Sequence, residues 1–222
     1  FMQNLLGYPI LTAGFLLGSR GLGTLFTMMV APWLMARIEA RYLIAAGFGL
    51  TAATLYSMSG FTDNTSAQTI ITVSIIQGVG LGLVFVPLTA VAFLTLPGHL
   101  RTAGTSITTL VRNIGSSIGI SMVIANLTSK TTYMHARLTE SVTPFNDALQ
   151  MPDVASTLNL STDTGRAMLD GIVTQQANII AYQNDYWMLM WLTLAVLPLT
   201  LLVGSSKALR QPSAKIEAHA LE

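Results

Sequence analysis

Two arginines, Arg20 and Arg112, are the residues best placed to do chemistry, because each lies inside a long apolar run. A guanidinium stays charged at physiological pH and offers five N–H donors. Held in hydrocarbon it is costly, so it normally faces a cavity, a substrate or a partner. Each arginine lies roughly ten residues from an end of its run, too deep at about 1.5 Å per residue to reach the interface easily. They are expected to line a substrate or coupling cavity; the alternative is a structural pairing with a carbonyl or carboxylate. No carboxylate lies within the runs, and Asp63 and Asp185 fall at their edges. An unpaired buried cation is expensive, so the acidic partner, and any proton-accepting carboxylate, is expected elsewhere in a longer protein. Gln77 and Asn113 are the other polar side chains at depth, as interhelical glue or as the lining of a path. Phe85 and Met122 are secondary, apolar cavity candidates.

Enzyme chemistry finds little support. His99, His135 and His219 fall outside the runs, and Ser116 and Ser117 have no base nearby in sequence. There are no cysteines, so thiol nucleophiles, disulfides and Cys-based zinc sites are excluded together. His/carboxylate metal spacing is missing. Gly80 and Gly82 lie inside an apolar run with no strand before them and no phosphate-loop pattern beside them. No catalytic site, metal or cofactor is expected.

The elements that must position the arginines follow from composition. The 222 residues are 51% hydrophobic and 9% charged, against about 25% charged in a soluble domain. That leaves too little polar surface to coat a water-soluble globule. The net charge of +1 makes no case for nucleic acid. A spanning helix needs about 20 mainly apolar residues, and five stretches qualify, at about 11–34, 42–60, 69–96, 102–127 and 186–204. Helices are expected because a lipid-exposed backbone must satisfy its own polar groups; a β-barrel would show short alternating segments instead. The fold class is therefore an all-α membrane protein of about five transmembrane helices plus a helical outer segment.

Lys and Arg in the short connections set the sidedness. Arg37 and Arg41, then Arg101, then Lys207, Arg210 and Lys215 mark one side as cytoplasmic. The chain then starts outside and ends, from 205 to 222, in the cytoplasm. Trp33, Tyr42, Tyr186 and Trp187 sit at span ends, as an aromatic belt requires. The segment 128–185 lies outside. In it 132–141 continues the fourth span, Pro144 and Pro152 break the chain, and Ser161, Thr162 and Asp163 offer caps for a helix leading into the fifth span. This segment is read as a solvated hairpin or as a docking surface. The start at Phe1, without a signal sequence, reads as a truncation.

Small residues recur four apart: Gly14 and Gly18, Gly78 and Gly82 with Gly80 between, Gly115 and Gly119. Such spacing lets helix backbones approach closely. Pro87 can kink its helix. Tight packing is expected of these positions, with bending during transport as the alternative.

Several of these residues stand in segments that resemble a known family. Gln77-Gly-Val-Gly-Leu-Gly-Leu-Val-Phe-Val-Pro87 is similar to the corresponding span of EmrB/QacA-type drug:H⁺ antiporters, fourteen-span members of the major facilitator superfamily. Leu96-Pro-Gly-His-Leu-Arg101 with Gly104 resembles their cytoplasmic loop, and Leu110-Val-Arg112-Asn113-Ile-Gly115-Ser-Ser-Ile-Gly119 their Arg-containing span. Phe1 to Tyr8 and Ser19-Arg20-Gly21-Leu-Gly23 look like the entry to their tenth span. Val142-Thr-Pro144-Phe145-Asn146 and Gln176 to Tyr182 are similar to the outer segment of the EmrB branch. Ser19 departs from the pattern, standing where the family often has Pro, and Pro32-Trp33 replaces its Gly-Arg pair.

The resemblance implies that these are spans ten to fourteen, the C-terminal part of a major facilitator bundle. It implies proton-driven export of amphipathic drugs across the bacterial inner membrane, powered by the proton gradient without a cofactor. It also implies a periplasmic adaptor and an outer-membrane channel as partners. Arg37, Glu39, Arg41 and Arg101 would form the cytoplasmic surface that locks one state. The family's coupling carboxylates fall outside this sequence. A transporter of a single organic anion and a non-transporting membrane scaffold are the alternatives.

Overall fold

A computed structural model describes residues 9–62, 64–94, 96–140, 142 and 162–200. Asp63, Pro144, Pro152, Ser161, residues 1–8, the final residues assigned to the fifth span and the tail lie outside the described residues. The described chain is helical throughout, with no strand among its residues: α1 Ile10–Arg37, α2 Ala40–Ser59, α3 Ala67–Leu94, a single 3₁₀ turn Gly98–Leu100, α4 Arg101–Glu140 and α5 Asp163–Thr200. By length and composition, Ile10–Arg37, Ala67–Phe93 and Gly98–Glu140 are apolar enough to cross a membrane. The other two helices fall short for visible reasons. α2 dilutes its apolar residues with Ala, Gly, Ser and Thr, and α5 is polar up to Asp185 and described only to Thr200.

The helices pack in the order α1, α3, α2, α5, α4. α3 is central because it is small on two faces. A Cβ at Gly78 would overlap the Arg20 carbonyl oxygen of α1, and one at Gly23 the Ile75 carbonyl oxygen of α3. On the other side a Cβ at Gly80 would stand 2.7 Å from Thr51 Oγ1 of α2, and one at Gly47 2.7 Å from the Gly80 carbonyl. Backbones thus touch where side chains would hold them apart, the packing available to helices that gain little from burying apolar surface in lipid. Three buried hydroxyls of this core are satisfied within their own helices. Ser19, Thr27 and Thr54 donate to carbonyls one turn back, at 2.6, 2.9 and 2.8 Å.

Two apolar clusters fix the end of the bundle nearest the α2–α3 connection. Leu16, Met58, Phe61 and Ile70 form one, and Ala52, Leu55 and Met190 the other, with Tyr186 packed against both. Pro87 is fully buried inside α3.

α4 and α5 differ from the rest in length. At about 1.5 Å per residue, the 40 residues of α4 and 38 of α5 make rods nearly twice the roughly 30 Å of a hydrocarbon core. They run antiparallel, with Asn126 against Asp185, Thr131 against Asn178 and His135 against Asp170. The Thr162 hydroxyl caps the start of α5 by accepting from the Gly165 N–H at 3.2 Å.

Candidate functional site

Arg20 sits half-buried on α1 at the crossing with α3. Thr24 ties the two backbones there, its hydroxyl lying 3.1 Å from both the Arg20 and the Gly78 carbonyls. The Arg20 Nε is buried without a hydrogen-bond partner among the described residues. On α3, Gln77 is 7% exposed and Ser74 1% exposed, and their Oε1 and Oγ are also buried without a hydrogen-bond partner. Ser74 and Gln77 are three residues apart, hence on one helix face. Orphaned polar atoms inside a bundle are expensive, and three of them on neighbouring helices mark a polar interior.

Arg112 is placed differently. No residue of α4 is buried, and Arg112 and Asn113 are exposed. The Arg112 guanidinium carbon stands 5.5 Å from the centroid of the Phe85 ring, a cation–π contact that bridges α4 to α3. Two residues singled out in the sequence therefore meet. Met122 is 66% exposed. Asn113 instead lines an open groove of about 570 Å³ with Arg101, Thr102, Thr105, Ser106, Thr109 and Leu110. All of these belong to α4, so the groove is one face of a single helix.

The glycines divide the same way. Gly78 and Gly82 face α1, Gly82 against the Thr27 side chain, while Gly80 faces α2; a Cβ at Gly115 or Gly119 would meet nothing.

At the α1–α2 connection, Arg37 stacks on Trp33 at 4.1 Å. Arg41 Nε forms an ion pair with Glu39 Oε2 at 2.7 Å, and the Arg41 guanidinium lies 4.9 Å from the Tyr42 ring centroid. Glu39 is the residue before α2, so the pair clamps the turn. Arg101 stands apart at the start of α4.

The sequence reading missed one group. The sequence puts Asp185 at the edge of a span, yet it is 3% exposed and packed against Asn126 of α4. Asn126 Nδ2 donates to its Oδ1, and Oδ2 is buried without a hydrogen-bond partner among the described residues. Burial pushes the carboxyl above the usual carboxylate range, and the Asn126 hydrogen bond pulls it part of the way back. The available signal was an Asn and an Asp on helices joined by a hairpin, which only the register between them brings together.

A family model described as Major Facilitator Superfamily matches residues 1–130. The chain is 26% identical to the multidrug export protein EmrB of Escherichia coli over 204 residues, covering 89% of this chain and 39% of that protein. It is 25% identical to the uncharacterized MFS-type transporter YhcA of Bacillus subtilis over 203 residues, covering 87% and 38%. With the fatty acid resistance protein FarB of Neisseria gonorrhoeae it shares 26% identity over 182 residues, covering 81% and 36%. The chain spans about two fifths of the length of these relatives.

Proposed function

Because the chain belongs to the major facilitator superfamily, we propose that it serves as the C-terminal part of a secondary multidrug exporter, driven by protons through alternating access. One observation carries this reading: Arg20 Nε on α1 and Gln77 Oε1 and Ser74 Oγ on the neighbouring α3 are buried without a hydrogen-bond partner among the described residues. A purely structural interior would satisfy or omit such groups, whereas a passage presents them to water or cargo. In such folds the binding site lies near mid-membrane between repeats that rock against one another. Arg20 is the cavity cation, and Gln77 on α3 is a second polar lining group. Arg112, held by Phe85, presents a second cation on the open face of α4. Arg37, Glu39, Arg41 and Arg101 serve the cytoplasmic gate.

The proposed topology puts four spans within 1–127, an outer helical segment at 128–185, the last span at 186–204 and a cytoplasmic tail from 205 to 222. The cell is bacterial and the membrane its inner one. The projecting α4–α5 hairpin is the surface for a periplasmic adaptor, with an outer-membrane channel beyond it.

The test is export of a cationic dye by the full-length protein in cells, with expression followed in parallel. Arg112→Ala and Arg20→Ala each reduce efflux at least about tenfold with expression unchanged, the loss expected when a positioned charge is removed. Normal efflux in either variant removes that arginine from the mechanism. A second reading, transport of one amphipathic anion, is favoured by the cationic character of the site and by the fatty acids in the name of FarB. Uptake of a labelled fatty acid, in place of dye efflux, decides for it.

A further inference from the structure

The α4–α5 seam carries three polar rungs graded by depth. His135 and Asp170 meet at 3.1 Å and are exposed, at the hairpin end. Thr131 donates to Asn178 Oδ1 at 3.1 Å and is part-buried. Asn126 meets Asp185 at the buried end. The three pairs succeed one another along the seam from the exposed end to a buried carboxylate, whose Oδ2 has no hydrogen-bond partner among the described residues. An aspartate kept only for architecture would have both oxygens satisfied. The donor set does not suit a metal ion, since no group of three or more His, Cys, Asp or Glu side chains occurs among the described residues.

We propose that Asp185 is a proton-binding carboxylate, loaded from the hairpin end of this seam, with the incoming proton taken on Oδ2 while Asn126 holds Oδ1. Loading converts the carboxylate and one proton into the neutral acid, and unloading reverses it. The surrounding groups suit an exchange between two states. From α4 come Asn126 and, toward the tip, His135. From α5 itself come Tyr182 and Tyr186. α1 contributes Leu16, in the apolar cluster that Tyr186 packs against. α2 brings Tyr56, which meets Trp187 edge-on with ring centroids 6.1 Å apart. A buried acid with one fixed hydrogen bond is poised between its two forms. In this respect the chain departs from the expectation that its proton-accepting carboxylate lies elsewhere.

This inference rests on the exporter reading for its purpose, but its test does not. The carboxyl C=O absorption of purified full-length protein in lipid nanodiscs is titrated with pH by infrared difference spectroscopy. Wild type shows a protonated-carboxyl band that Asp185→Asn removes. Asn126→Leu moves its midpoint upward by about one pH unit, because a hydrogen bond to the charged form has been lost. An unchanged band in Asp185→Asn overturns the proposal. Should that variant fail to assemble, Asn126→Leu decides, and a midpoint equal to wild type overturns it equally. Absence of dye export by the wild-type protein would sink the exporter reading while leaving this titration intact.

Discussion

α3 and α4 carry the same sequence device and put it to different uses. Each has glycines four apart, Gly78 and Gly82 in one, Gly115 and Gly119 in the other. In α3 the device is spent, since Gly78 and Gly82 lie against α1 and Gly80 against α2. In α4 it faces open space, on a helix with no buried residue. A small-residue spacing therefore announces that a backbone approach is possible. It does not say which helix approaches, or whether that helix lies among the described residues.

The largest expected effect tests the closed half. Gly78→Leu forces a side chain into the Arg20 backbone, which cannot yield as a flexible side chain would. It should cost about 3 kcal/mol, read as a lower Tm of the purified full-length protein or as loss of its monodisperse peak. A stable, monodisperse Gly78→Leu protein would show that the α1–α3 crossing is looser than described. Next is the projecting half. Deleting 131–175 removes the outer hairpin but leaves the bundle contacts and the Asn126–Asp185 rung, so insertion should persist while co-purification of a periplasmic adaptor falls severalfold. Unchanged co-purification denies the hairpin a docking role. The smallest effect is Gly119→Leu, which should change fold stability by less than about 0.5 kcal/mol. A loss matching that of Gly78→Leu would mean the α4 face is packed too, and the contrast between the helices would collapse.

Much of the helical layout was legible because its signal is local. Apolar runs near spanning length, Thr162 at the start of α5 and the run of helix past Leu127 need no knowledge of partners. α2 and the C-terminal part of α5 were legible as apolar segments for the same reason. The candidate site was legible only in part. Arg20 and Gln77 were flagged as charge and amide at depth, and they do fall on helices that cross. Arg112 was flagged by the same logic, yet burial belongs to an assembly rather than to a residue, and α4 packs chiefly against α5. Asp185 went the other way, exposed by its position beside a polar stretch and buried by the register of the hairpin.

The sequence alone determined the solvent, the element type and the inventory. At 9% charge the chain needs lipid, lipid demands helices, and the few charges left inside must have a purpose. Only the tertiary structure decided partners. Helix order placed Arg20 against Gly78, brought Arg112 onto Phe85, and closed Asp185 behind Asn126. Periodicity is written along a chain and can be read from it, whereas the contact of one helix with another depends on crossing angle and register, which no single helix carries.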